Sequence, residues 1–96
     1  MAKAITKKQV QQVQSDRLKM IDIRSNEEYE KQHIPNVINI PSEDLAKELA
    51  TFNKEDIIVC ICNYGKERSQ KAAEFLNDAG FKNAVYLEGG TLGWGG

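Results

Sequence analysis

No part of the chain constrains its fold more than Ile57–Ser69, IIVCICNYGKERS. It opens on an apolar run, Ile57-Ile58-Val59-Cys60-Ile61, of the kind shown by a strand buried on both faces. It turns polar at Cys62-Asn63-Tyr64-Gly65-Lys66-Glu67-Arg68. Beyond Arg68 the period becomes helical: Ser69, Ala72, Ala73, Leu76 and Ala79 fall three or four apart and share one face. The pattern predicts a strand, a tight loop and a helix, with Cys62 at the strand's carboxyl end. Such a loop aims successive backbone N–H groups inward, and the helix adds its positive N-terminal end. An anion is held well there, and a thiol loses its proton easily. Lys66 and Arg68 add positive charge.

The flanking segments alternate in the same way. Ala4-Ile5 is a short extended entry, and Thr6 with Gln9 reads as a capping box for a helix over Lys7–Gln14. Ile5 and Val10 sit where a hydrophobic staple would, and Val13 joins Val10 on the buried side. Lys19–Ile23 reads as a strand. Its Asp22 is a carboxylate in an apolar run and needs a partner, and Arg24 follows closely. Ser25 and Glu28 form a second capping box for a helix over Asn26–Gln32, anchored by Tyr29. His33-Ile34-Pro35-Asn36 is a turn in which Asn36 tolerates a left-handed backbone.

Val37–Ile40 is another strand, stopped by Pro41. Ser42 is expected to cap a helix with a buried stripe of Leu45, Ala46 and Leu49. The helix after the loop, Arg68–Ala79, ends at Gly80, and Phe81 is placed to pack back on Leu76 in a Schellman motif. Ala84–Leu87 is the last strand. Glu88-Gly89-Gly90 permits a sharp turn and close backbone approach, and turn geometry alone accounts for its glycines. Trp94 is expected near the site mouth or over the core. Capped helices alternating with apolar strands predict one α/β domain, residues 1–96, with a mainly parallel sheet. Ligands of such sheets sit beyond the strands' carboxyl ends, where Cys62, Arg24 and Gly89 all belong.

Bulk properties remove several classes of function. A net charge of -1 and a pI near 5.8 argue against a nucleic-acid surface. The longest apolar run, Ile57–Cys62, is far too short to span a bilayer, and MAKAITKKQV has no signal-peptide core. A cytoplasmic protein is the expectation. Two cysteines and one histidine are too few ligands for a structural metal site, and two cysteines do not make a disulfide scaffold. No cofactor is expected. Cys60 reads as a small buried apolar residue, and Cys62 as the reactive one. His33, the only imidazole, sits in a turn and reads as a packing residue.

Four passages together resemble a single-domain rhodanese, the thiosulfate sulfurtransferase family. They are Ile21-Asp22-Ile23-Arg24, His33-Ile34-Pro35-Asn36-Val37-Ile38-Asn39-Ile40-Pro41, Cys62-Asn63-Tyr64-Gly65 with Arg68-Ser69, and Leu87-Glu88-Gly89-Gly90 with Trp94. The resemblance implies a rhodanese-like three-layer fold and a Cys62 persulfide. It makes Asn63, Tyr64, Gly65, Lys66, Glu67 and Arg68 the anion-binding loop, with Asp22 and Arg24 supporting it. The implied substrate is a small sulfur-containing anion, with thiosulfate or a persulfide as the sulfur donor. The implied acceptor is cyanide or a thiol, either a small one or that of a thioredoxin-like protein.

Two departures bear on chemistry. Five residues separate Cys62 from Arg68, where sulfurtransferase relatives commonly have four. The longer spacing resembles the phosphatase and arsenate-reductase relatives of the fold, whose wider loop holds a tetrahedral oxyanion. Ile61 rather than His precedes Cys62, which departs from those phosphatases. The leading expectation is sulfur transfer. The alternatives are phosphatase or arsenate reductase, and a non-catalytic sulfur carrier or interaction domain. Glu67 is expected to point to solvent.

Overall fold

The structure, a computed structural model, describes residues 2–95. Five parallel strands form one sheet: β1 (Lys3–Ile5), β2 (Leu18–Asp22), β3 (Ile38–Asn39), β4 (Ile57–Ile61) and β5 (Val85–Leu87). Their order across the sheet is β1-β5-β4-β2-β3, which puts the most apolar strand, β4, in the middle. Helices α1 (Lys7–Gln12), α2 (Asn26–Lys31) and α3 (Glu67–Asp78) and a 3-10 segment, Ser42–Thr51, connect the strands.

Alternation along β4 builds two cores. Ile58, Cys60 and the following Cys62 pack with Ala72, Ala73 and Leu76 of α3, Leu45 of the 3-10 segment, and Phe81. Val59 and Ile61 face the other way, against Val10 of α1, Ile34, Val37 and Leu87. Helices on both faces of the sheet explain why β4 lacks polar positions. Burying each such side chain contributes roughly 1.5–3 kcal/mol against the entropy of ordering the chain.

Local signals in the sequence account for most element boundaries. Both capping boxes form: Thr6 with Gln9, and Ser25 with Glu28. Asn36 takes φ 68°, as its turn requires. The Schellman end of α3 forms in full: Gly80 N–H donates to Asn77 (3.0 Å) and Phe81 N–H to Leu76 (2.9 Å), with Gly80 at φ 101°. Trp94 packs on the α1 side with Val10 and Ile34, so it covers the core rather than the loop. Lys7 reaches over its ring, 4.9 Å from the centroid.

Three expectations fail. Helix α1 stops at Gln12 rather than Gln14, because Val13 turns extended at the C-cap. Ser42 does not cap: the segment starts behind Pro41, which has no side-chain donor or acceptor to offer. That segment is 3-10 rather than α, with three residues per turn. Leu45 is therefore buried and Leu49 half-buried, but Ala46 turns out to solvent.

The strand order also locates the site. From β2 the chain crosses outward to β3; from β4 it crosses the opposite way to β5. The carboxyl ends of the adjacent strands β2 and β4 therefore flank a topological switch point, where α/β sheets open a crevice. Arg24 leaves β2 at that edge, and Cys62 leaves β4.

Candidate active site

Cys62 follows β4 directly and is 3% exposed. Its sulfur lies 3.2 Å from Ser69 Oγ, one turn into α3. Ser69 donates in turn to the Lys66 carbonyl at 3.1 Å. With the thiol protonated, the S–H can donate to Ser69; once it ionises, the hydroxyl can rotate to donate to sulfur. Burial pushes the Cys62 thiol up. The Ser69 hydroxyl and the backbone N–H groups of Lys66, Ser69 and Gly65 outweigh that, so the thiol titrates below its ordinary value. Cys60, wholly buried two residues earlier, goes the other way: burial, then repulsion from Cys62, pushes it up to about 12.

Ser69→Ala should raise the pH at which Cys62 ionises and slow its alkylation at neutral pH. The expectation is read from iodoacetamide rate against pH. An unchanged midpoint would mean that the backbone donors alone set the thiolate.

The loop is clamped from behind by the segment after β5. Thr91 N–H donates to Cys62 O at 2.8 Å and Leu92 N–H to Asn63 O at 3.0 Å. Gly65 and Gly90 allow this approach. A Cβ on Gly65 would lie 2.2 Å from Leu87 O, and one on Gly90 would lie 2.4 Å from Cys62 O. The close approach is thus the principal work of these two glycines, beyond turning the chain.

A polar network holds the other side. Asp22, fully buried, takes a bidentate grip from Arg24: Nε at 2.9 Å and Nη2 at 2.7 Å. Arg24 Nη1 donates to Asn63 Oδ1 at 2.9 Å, which links the end of β2 to the loop. Asn63 Nδ2 then donates to Glu28 at 3.3 Å. Glu28 also takes the Arg68 fork, at 3.0 and 3.3 Å. The Arg68 guanidinium beside it holds the Glu28 carboxyl at about 2, with burial opposing and the Ser25 backbone assisting.

Around the mouth, Tyr64 is 62% exposed and Lys66 is also open to solvent. Glu67 is the first residue of α3 and lies outward, paired with Lys71 at 3.2 Å. Cys62, Asn63, Tyr64, Lys66, Glu67 and Arg68 line one open pocket of about 220 Å³. The structure therefore brings six of the seven sequence-selected loop residues to one pocket, with Gly65 packed against Leu87 and Gly89 and the Asp22–Arg24 pair behind Asn63. It engages Arg68 with a carboxylate that sequence reasoning had assigned only to helix capping.

Two residues escaped the sequence reading. Glu28 does cap, accepting from Ser25 N–H at 3.1 Å, and that duty hid its second one. Ser69 left a usable signal: a hydroxyl among alanines on a buried helix face needs a partner. Among the described residues no cluster of side chains suits a metal ion, and no helix is long and apolar enough to cross a membrane.

A parallel α/β sheet with a thiol in a loop of backbone N–H groups at its switch point defines a structural class: α/β proteins that present a cysteine at the carboxyl edge of the sheet. The chain belongs, within that class, to the rhodanese-like domain family, whose sequence pattern matches residues 5–96. It is 40% identical over 87 residues to the putative sulfur carrier protein YrkF of Bacillus subtilis, covering 90% of this chain and 46% of that one. It is 35% identical over 81 residues to the putative sulfurtransferase YtwF of the same organism, covering 84% and 77%. The crystal structure of a rhodanese-like domain protein from Staphylococcus aureus superposes with a TM-score of 0.84 at 35% identity, covering 97% of this chain and 91% of that one. The chain spans less than half the length of YrkF.

Proposed function

We propose that this protein is a sulfurtransferase that carries a sulfane sulfur as a persulfide on Cys62. The observation that carries the reading is the placement of the Cys62 sulfur directly after β4, 3.2 Å from Ser69 Oγ, in a loop whose N–H groups favour its ionised form. Once the thiol has ionised, its thiolate needs no general base. It attacks the outer sulfur of thiosulfate; the S–S bond breaks and sulfite leaves with the electron pair. The product, a Cys62 persulfide anion, keeps its charge among the N–H groups of Gly65, Lys66 and Ser69. A thiolate or cyanide then takes the outer sulfur and restores the Cys62 thiolate.

In this reading Asn63, positioned by Arg24 and Asp22, fixes one wall of the loop. Tyr64 and Lys66 meet the incoming donor or acceptor, a small thiol or a thioredoxin-like protein. A reducing cytoplasm suits two free thiols. The likeness to a named sulfur carrier supports a second version of the same chemistry, in which the persulfide passes once to a dedicated partner. A phosphatase reading is weaker. Glu28 is taken up by Arg68 and Glu67 lies outward on Lys71, so neither carboxylate is placed to act as an acid for an alkoxide leaving group.

The deciding experiment is incubation with thiosulfate followed by intact mass, with aryl-phosphate hydrolysis assayed in parallel. One added sulfur, removed by cyanide, is expected. No added sulfur together with steady phosphate release would replace this reading with the phosphatase one.

A further inference from the structure

We infer that the groove between α3 and the 3-10 segment docks an acidic segment with an apolar anchor, carried by a protein that takes sulfur from Cys62. The inference rests on the sulfurtransferase reading and names the chemistry of its protein acceptor.

The groove, of about 300 Å³, is lined by Ser42, Leu45, Arg68, Lys71, Ala72 and Phe75. Its floor is apolar: Leu45 and Ala72 are buried, and Phe75 forms a wall. Phe75 stands off the buried face of α3, which is made by Ser69, Ala72, Ala73 and Leu76, and is 41% exposed. A single exposed apolar side chain is ordinary. One that walls a groove beside a nucleophile offers an anchor point. Arg68 lines both this groove and the pocket around Cys62, so the two adjoin.

The charges in the groove have one sign. Arg68 and Lys71 line it, and no carboxylate does. Their partners, Glu28 and Glu67, stand outside it. Both pairs are open to solvent, with Lys71 74% and Glu67 80% exposed, so exchanging them for a partner's carboxylates costs little. The other side of the 3-10 segment has the reverse character. There Asp44 and Glu48 rim a second groove with Ile38 and Phe52, and no cation lines it. An acidic segment is therefore matched to the α3 side.

Helix geometry sets the spacing. Ser69 Oγ lies 3.2 Å from the Cys62 sulfur. From Ser69 to Phe75 the helix advances roughly 9 Å, which about three residues of extended chain span. Lys71 falls between them. The docked segment thus carries an apolar anchor, then acidic residues, then a thiol three places beyond the anchor. That thiol attacks the outer sulfur of the Cys62 persulfide anion. The S–S bond breaks, Cys62 leaves as its thiolate, and the thiol proton passes to the transferred sulfur.

The test loads Cys62 with thiosulfate, removes the excess, and adds synthetic peptides. The probe is Gly-Leu-Asp-Asp-Cys. The controls are Gly-Leu-Lys-Lys-Cys, Gly-Gly-Asp-Asp-Cys, and Asp-Asp-Gly-Leu-Cys, which keeps the composition but has no spacer between anchor and thiol. Single-turnover transfer gives a half-saturating concentration for each. Fluorescence anisotropy of labelled Gly-Leu-Asp-Asp-Ser reads binding without any transfer. The probe should half-saturate about tenfold below each control. Phe75→Ala should weaken both readouts about tenfold. Lys71→Glu should weaken the acidic probe likewise and favour the lysine peptide. Transfer to 2-mercaptoethanol, too small to reach the groove, should stay within about twofold in both variants. Added salt should weaken the probe.

Equal half-saturation by the four peptides, with 2-mercaptoethanol still taking the sulfur, would overturn the docking groove and leave sulfur transfer standing. Labelled peptide that binds wild type but neither variant, with no sulfur ever loaded on Cys62, would keep the groove and sink the sulfurtransferase reading. Should Phe75→Ala fold poorly, Lys71→Glu, at an exposed position, decides alone: an unchanged preference for the acidic peptide would overturn the inference.

Discussion

Cys62→Ser is expected to lower sulfur transfer by a thousandfold or more, on the order seen when a covalent nucleophile is removed. Cys60→Ser is expected to keep turnover per folded molecule and to lose roughly 1–3 kcal/mol of stability. The contrast is sharp because the two residues are close equivalents in composition and position. Both lie on the α3 face of the sheet, in the same core cluster, two residues apart. What separates them is the company each sulfur keeps. Cys60 is closed in by apolar neighbours, with 0% exposure, and its thiol is pushed up to about 12. Cys62 has Ser69 and three backbone donors. A hydroxyl at position 62 keeps the hydrogen bond to Ser69 but cannot carry a sulfane sulfur. A hydroxyl at position 60 has no such partner and is buried at a cost. Thiosulfate–cyanide turnover and urea melts on both variants provide the check. Equal loss of turnover from two well-folded proteins would remove the assignment of Cys62.

Gly90→Ala should be nearly as damaging, though it touches no reacting atom. Its Cβ would lie 2.4 Å from Cys62 O and 2.6 Å from the Asn63 carbonyl, all backbone, at φ +60°. Neither neighbour can rotate away, so the loop itself must move. The expected result is a loss of roughly 2–4 kcal/mol and about a hundredfold fall in sulfur transfer. Gly89→Ala is the control. It has φ +83°, but its Cβ would meet nothing nearer than Gly93 Cα at 3.6 Å. It therefore carries backbone strain of about 1 kcal/mol without the collision. Thermal melts and turnover of the pair separate strain from clash. Indistinguishable behaviour would mean that the segment behind the loop yields easily and does not clamp it.

Much of this architecture could be read in advance because its causes are local. The apolar run of β4, both capping boxes, the left-handed Asn36 and the Schellman end of α3 depend on residues within a turn of one another. The 3-10 segment could not be read so. Its composition fits an α-helix, and its tighter winding is apparent only in the folded chain. Gly90 hid its purpose for a related reason. The sequence allowed close approach, but the atoms approached belong to Cys62 and Asn63, far back in the chain. Glu28 was hidden by success: capping explained it fully, so nothing remained to suggest the partner on α3.

The clamp behind the loop limits what can be inherited or engineered separately. A peptide of residues 62–69 grafted onto another strand–helix junction would bring the thiol and Ser69. It would leave behind the donors from Thr91 and Leu92 and the glycine surface at Gly90, which hold the backbone of Cys62 and Asn63 in place. It would also lack Arg24, which holds the Asn63 side chain. Two distant stretches brace this loop, and each contributes chiefly backbone or supporting contacts. The reactive loop is not a portable cassette, and its chemistry travels only with the whole sheet beneath it.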